Sequence, residues 1–289
     1  TRFIFESDIP SWADATVLQS RLDRWAYAGF DTVMLNVDDG HGATWETKSW
    51  AYDPRVTSLN LKDAVSKIHD RGLSVVACVS LASFNPAFSH YPELRLNNFQ
   101  FPFYDFWNAE FQSRRLAMLS DLVAACDVDG LALDYLRTGR EALPGEIPAA
   151  TVMSSWVAQV GAAVSAAVPI LSVNHSSYAS VVKEGVNIAE WATRKWIDGA
   201  VLFNYENPFP AAHIRGLKQT VPCPVWALFG NYDWINNHAE TRSGITVSHI
   251  WRRLQREGGP DGIGVYLANL FTADQAVGSR HTQRILGGL

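Results

Sequence analysis

The run Asp129-Gly130-Leu131-Ala132-Leu133-Asp134-Tyr135 decides how this chain is read. Its apolar centre shows no polar alternation, which suits a parallel strand covered on both faces. An acid stands at each end. Asp129 lies where the strand enters and makes a structural turn or cap, while Asp134 lies where it leaves, facing a pocket.

Working outward, the same kind of run recurs at 2–6, 32–38, 74–81, 169–174, 200–205, 224–229 and 262–267. Stretches of helical period separate these runs, at 16–27, 61–70, 110–125, 151–167, 186–196, 211–219, 246–257 and 273–286. Asn108 is a good N-cap, and Gly29, Gly72 and Gly258 fit left-handed helix stops. Eight strands alternating with eight helices predict a single (β/α)8 barrel over residues 1–289, with long loops after strands two and three. A doubly wound open sheet competes, but no glycine-rich phosphate turn follows the first strand.

Composition narrows the function. The 289 residues are 47% hydrophobic and 18% charged, with 24 basic against 29 acidic residues and a net charge of −5. That excludes a disordered chain, and no basic stripe suggests a nucleic-acid partner. No apolar run approaches the ~18 residues of a membrane span. The opening Thr1-Arg2-Phe3-Ile4-Phe5 carries no signal-peptide pattern. Three scattered cysteines, Cys78, Cys126 and Cys223, suggest neither a disulfide framework nor a metal site.

Two connections are too long to be turns. Residues 39–60 carry Asp39, His41, Trp45 and Trp50, and residues 82–109 carry Phe84, Phe88, Tyr91, Phe99, Phe101, Phe103, Tyr104, Phe106 and Trp107. Both follow strand exits, the face on which barrel active sites are built. Most of these rings are expected to form a small core of their own, with one or two Trp or Tyr rings serving as ligand platforms.

The polar residues at strand exits are Glu6 and Asp8; Asn36, Asp38 and Asp39; Ser83 and Asn85; Asp134, Tyr135 and Arg137; Asn174 and His175; Asn204, Tyr205, Glu206 and Asn207; Asn231, Tyr232 and Asp233; and Asn269. Such a ring of carboxylates, amides and aromatics suits a ligand rich in hydroxyls. All six lysines lie away from the strand tips, so a Schiff-base enzyme is not expected. No H-x-H ends strand one and no phosphate cradle follows strands seven and eight. No cofactor or metal is implied, and carboxylate chemistry is what remains.

Glycoside cleavage needs one protonated and one ionised carboxyl flanking the bond. Asp134 and Glu206, two strands apart, are the expected pair, with Asp233 and Asp38 as substitutes for the second role. The bland alternatives are an Asp134–Arg137 ion pair and Glu206 as a cap for the helix after Pro210. His175 and His41 are either substrate contacts or hydrogen-bonded packing residues.

The segment from Trp107-Asn108-Ala109-Glu110 to Cys126-Asp127-Val128-Asp129-Gly130-Leu131-Ala132-Leu133-Asp134-Tyr135-Leu136-Arg137 resembles the bacterial glycosyl hydrolase-like barrels. Their signature runs W-x-N-P-x-x-P-E-V-R, then Y-D-V-D-G-I-H-L-D-Y-I-R-Y-P, and relatives include the poly-N-acetylglucosamine hydrolase barrel domain. Ala28-Gly29-Phe30-Asp31-Thr32-Val33 and His69-Asp70-Arg71-Gly72-Leu73-Ser74-Val75 are similar to the family's A-G-F-N-T-V and H-K-R-G-L-E-V. The matches cover strands two to four. Ala109 replaces a proline, and Thr138-Gly139 replaces the family's Tyr-Pro.

The resemblance implies a glycosidase with Asp134 as the strand-four catalytic aspartate. In the distantly similar α-galactosidase-type barrels the acid/base comes from strand six, where Glu206 falls. It also favours a secreted or periplasmic protein of bacterial polysaccharide degradation. The expected reading is a retaining glycoside hydrolase with a carbohydrate substrate gripped by Asp38, Asp39, His41, Trp45, Trp50, Asn85, Tyr135, Arg137, Asn174, His175, Tyr205 and Asp233. A non-catalytic sugar-binding barrel and a substrate-assisted N-acetylhexosaminidase are the alternatives.

Overall fold

The computed structural model describes residues 1–81, 90–95, 104–134, 149–175, 186–204, 211–230, 232–235, 238–266 and 275–276, with the backbone alone at 149, 150, 175, 232–235 and 238–241. Eight parallel strands close into a barrel: β1 (Arg2–Glu6), β2 (Thr32–Asp38), β3 (Ser74–Ser80), β4 (Gly130–Asp134), β5 (Ile170–His175), β6 (Gly199–Asn204), β7 (Val225–Gly230) and β10 (Gly262–Tyr266). Each pairs with the next, and β10 returns to β1 with Phe5 opposite Tyr266. The predicted runs coincide with these strands to within a residue or so. An antiparallel hairpin that the alternation did not predict, β8 (Tyr232–Ile235) and β9 (His238–Thr241), lies between β7 and β10.

The outer layer contains α1 (Ile9–Trp12), α2 (Ala15–Ala28), α3 (Leu61–His69), α4 (Ala109–Ala125), α5 (Ala149–Val164), α6 (Ile188–Thr193), α7 (Ala211–Thr220) and α8 (Gly244–Glu257). All but two residues of the expected last helix, 273–286, fall outside the described residues. Side-chain caps start several of these helices: Asp14 accepts from the Thr16 and Val17 amides at 2.8 and 3.0 Å, and Asn108 from Glu110 and Phe111 at 2.9 and 3.2 Å. Gly29 and Gly72 are left-handed, at φ +78° and +71°. The expected stop at Gly258 moves by one residue, since Gly258 has φ −98° and Gly259 takes the left-handed φ of +55°.

Alternation, broken only near the end of β2 among the described strands, divides each strand between two cores. Phe3, Phe5, Met34, Val76, Cys78, Ala132, Leu171, Val173, Val201, Phe203, Leu228 and Tyr266 fill the barrel interior. Ile4, Val33, Leu35, Val75, Ala77, Leu131, Leu133 and Leu202 pack outward under the helices. The interior is a solid core, as in other barrels of this size. Its tightest point is Gly264, where a β-carbon would overlap the Phe3 ring.

The strand entrances carry a fourfold device. Asp31, Asp129, Asp198 and Asp261 each stand one residue before β2, β4, β6 and β10. Their carboxylates accept the amides of Arg2 (3.0 Å), Val75 (2.7 Å), Ile170 (2.8 Å) and Val225 (2.8 Å), at or next to the first residue of the preceding barrel strand. In return their own amides donate to the Arg2, Val75, Ile170 and Val225 carbonyls at 2.7–2.9 Å. Asp129 thus has the structural role its position predicted, with His69 Nε2 as a further partner at 2.8 Å.

Candidate active site at the mouth of the barrel

Asp134 closes β4 on the lumen side, in step with Gly130 and Ala132 below it, and is 5% exposed. Ser80 of β3 is its register partner and Val173 of β5 flanks it on the other side. Asn36 of β2 continues the lumen face above Met34 and pairs with Cys78, one lumen step below Ser80. Asn36 donates through Nδ2 to the Ser7 carbonyl at 3.3 Å, and its Oδ1 has no partner. Asn36, Ser80 and Asp134 therefore form a polar arc across three adjacent strands, above an apolar barrel core.

Asp38 corrects the expectation that it lines this pocket. Strand β2 bulges between Asn36 and Asp38, so that Asp38 pairs with Val79, an outward-facing residue. Its carboxylate forms an ion pair with Arg115 of α4, and both side chains are fully buried. Burial pushes the Asp38 carboxyl up and the guanidinium pulls it back. Arg115 also donates to the Ser80 carbonyl at 3.3 Å and lies 4.4 Å above the Trp50 ring. It fastens the exits of β2 and β3 to the helix layer.

Both tryptophans of the 39–60 connection are also corrected. Trp50 is 3% exposed and sits among Tyr91, Tyr104 and Phe111, with ring centroids 4.9–6.0 Å apart. Trp45 is 2% exposed. Neither ring is offered as a platform at the mouth. This connection instead runs down the outside of the barrel, where Thr47 and Ser49 donate to Asp121 of α4 at 2.5 and 3.3 Å. Of the rings expected to form a small core of their own, Phe84, Phe88, Phe99, Phe101 and Phe103 lie outside the described residues. Tyr104 and Phe106 join the outer core, Tyr104 stacking on Phe111 of α4 at 5.1 Å and Phe106 meeting Trp156 of α5 at 5.2 Å.

Asn174 is a third correction. It alternates with the lumen residues Leu171 and Val173 and donates to Ser172 Oγ at 2.7 Å on the outer face. Its Oδ1 has no partner. Asp39 and His41 follow β2 and are joined to each other, Nδ1 to Oδ1 at 2.7 Å. Arg55 grips Asp39 at 2.6 and 3.1 Å and the buried Asp53 at 2.6 Å. Burial raises the Asp39 carboxyl, but Arg55 and His41 together hold it below its usual range. At the exit of β1, Glu6 is fully buried against Arg21. Burial outweighs the arginine and pushes its carboxyl up to about 7.

Glu206, Asn85, Tyr135, Arg137 and Tyr205 lie outside the described residues. His175 ends β5, and Asp233 is on hairpin strand β8 opposite Glu240, not at the tip of β7. Sequence reasoning missed Arg115, Arg55 and Ser80. One signal was there for Arg115: Phe111, Arg115, Met118 and Leu122 share the helical stripe that faces the core. Among the described residues no group of three or more His, Cys, Asp or Glu is placed to hold a metal ion. Nor is any described helix long and apolar enough to cross a membrane.

Solved structures that share this barrel include glycoside hydrolases. The alpha-L-fucosidase isoenzyme 2 of Paenibacillus thiaminolyticus matches with a TM-score of 0.65 at 11% identity, over 98% of this chain and 49% of its own. The beta-galactosidase of the psychrophilic Marinomonas ef1 matches with a TM-score of 0.69 at 11% identity, over 99% and 59%. The chitinase RmChi1 of Rhizomucor miehei matches with a TM-score of 0.61 at 11% identity, over 97% and 99%. This chain thus spans only 49% and 59% of the fucosidase and the galactosidase. No protein-family model matches the sequence, and no curated protein matches it. At these identities the likeness is one of fold.

Proposed function

We propose that the chain is a retaining glycoside hydrolase acting on an oligo- or polysaccharide. One observation carries the reading: a carboxylate, Asp134, closes the fourth strand on the lumen side, at the exit face of a barrel whose fold is shared with glycosidases. Asp134 attacks the anomeric carbon while Glu206 protonates the departing glycosidic oxygen. Glu206 then takes a proton from water, whose oxygen attacks the same carbon and releases Asp134 from the glycosyl ester. Asn85, Tyr135, Arg137, His175, Tyr205 and Asp233 hold the sugar, with Asp39 and His41 at its edge.

The test is hydrolysis of a glycan panel by wild type, Asp134→Asn and Glu206→Gln, with the anomer of the first product read by NMR. Both variants are expected to lose activity on whatever the wild type cleaves, and that product is expected to keep the substrate's configuration. Wild-type rates in both variants, or an inverted first product, would sink the assignment.

A further inference from the structure

Beside the mouth, the outside of the barrel carries two adjoining clefts of about 640 and 480 Å³. Both are lined by Glu46, Ala124 and Ala125. One extends past Lys48, Ser49 and Asp121, and the other past Trp45, Tyr52 and Lys62. They lie on the outer flank between the start of α3 and the end of α4, whereas Asp134 closes β4 on the lumen side.

Tyr52 is 43% exposed, one of few large apolar side chains to be so among the described residues. Its backbone is rigidly held. Ala43 donates to the Ala51 carbonyl and accepts from the Asp53 amide, both at 2.8 Å. Gly42 allows this approach, since a β-carbon there would stand 2.8 Å from the Asp53 nitrogen. An exposed ring on a fixed backbone at a cleft edge is poorly explained by packing.

The rest of the lining has a matching chemistry. Lys48 and Lys62 are balanced by Glu46 and Asp121, so an anion gains no net attraction. Glu46, Asn60 and Lys62 line the same cleft as the ring. The indole N–H of Trp45, buried in the wall, has no hydrogen-bond partner.

We propose that this flank cleft is a second carbohydrate-binding site, holding a neutral polysaccharide on Tyr52 away from the point of cleavage. It rests on the proposed glycosidase reading and extends it to polymers long enough to reach both places. Native gels cast with glycol chitin, galactomannan or xyloglucan test it. Wild type and Asp134→Asn should be retarded equally in at least one gel, and Tyr52→Ala about tenfold more weakly. Lys62→Ala, on an exposed turn of α3, should also lose retardation. No retardation of wild type in any gel, or equal retardation of both cleft variants, overturns the site. Hydrolysis assays on the same proteins separate the two readings. Retardation dependent on Tyr52 without hydrolysis leaves the cleft standing and rejects the enzyme; hydrolysis without retardation does the reverse.

Discussion

The two ends of the barrel use the same side chain in opposite ways. At the entrances, Asp31, Asp129, Asp198 and Asp261 repeat one geometry, each carboxylate closing on a backbone amide of the neighbouring strand. Among the described exit residues no such repeat holds. Glu6 is buried against Arg21, Asp38 is sealed against Arg115, and Asp134 faces the lumen. Acids that join strands are interchangeable parts, whereas acids at the mouth are individually placed. The entrances carry stability, and the exits carry the proposed chemistry.

The contrast can be broken most sharply at Asp134. Asp134→Asn should cut glycan hydrolysis by about 10³-fold or more while leaving the thermal midpoint nearly unchanged. Asp38→Asn should instead fail as a stability variant. Next in size, Arg115→Met strands the buried Asp38 charge and should cost about 3–5 kcal/mol in denaturant unfolding. The pair Asp38→Leu with Arg115→Met should regain most of that loss. At the entrance, Asp129→Ala should cost about 1–3 kcal/mol by leaving the Val75 amide without its carboxylate, with turnover on the same substrate unaltered.

The smallest effects are in pH. Glu6 has a folded-state pKa of about 7, above the ordinary 4.5. Its contribution is therefore fully present below about 4.5 and lost as pH rises through 7. Melting wild type and Glu6→Gln from pH 4 to 8 should show the wild type losing ground by a few degrees over that window. Asp261 moves the other way. Burial raises it, but Lys218 and the Val225 amide hold it below the usual range. Its stabilisation is present near neutrality and fades in acid, so Asp261→Asn should differ from wild type least at the lowest pH.

Much of this was readable in the sequence. Apolar runs such as 32–38 gave the strands because a strand covered on both faces leaves no polar alternation. Asn108 and Gly29 marked helix ends through local chemistry that needs no tertiary partner. What failed was side-chain direction. Asp38 stands two residues after Asn36 and alternation assigns it to the lumen, but a bulge depends on the partner strand and on Arg115. Trp45 and Trp50 looked like platforms because their connection follows a strand exit, yet that connection folds down the flank. The β8–β9 hairpin escaped because its strands are four residues each and pair only with one another. The fourfold aspartate was present as F-D, V-D, I-D and P-D pairs, too short and too widely spaced to register as a repeat.

The irregularity in β2 has one more implication. The same seven residues admit a straight pairing in which Asp38 advances by one step, lands opposite Ser80 and meets Asp134 across it. That arrangement would crowd two negative charges at the opening and leave a helix arginine stranded in the wall. The guanidinium therefore favours the bulged threading, in which Asp134 has no acidic neighbour from this strand.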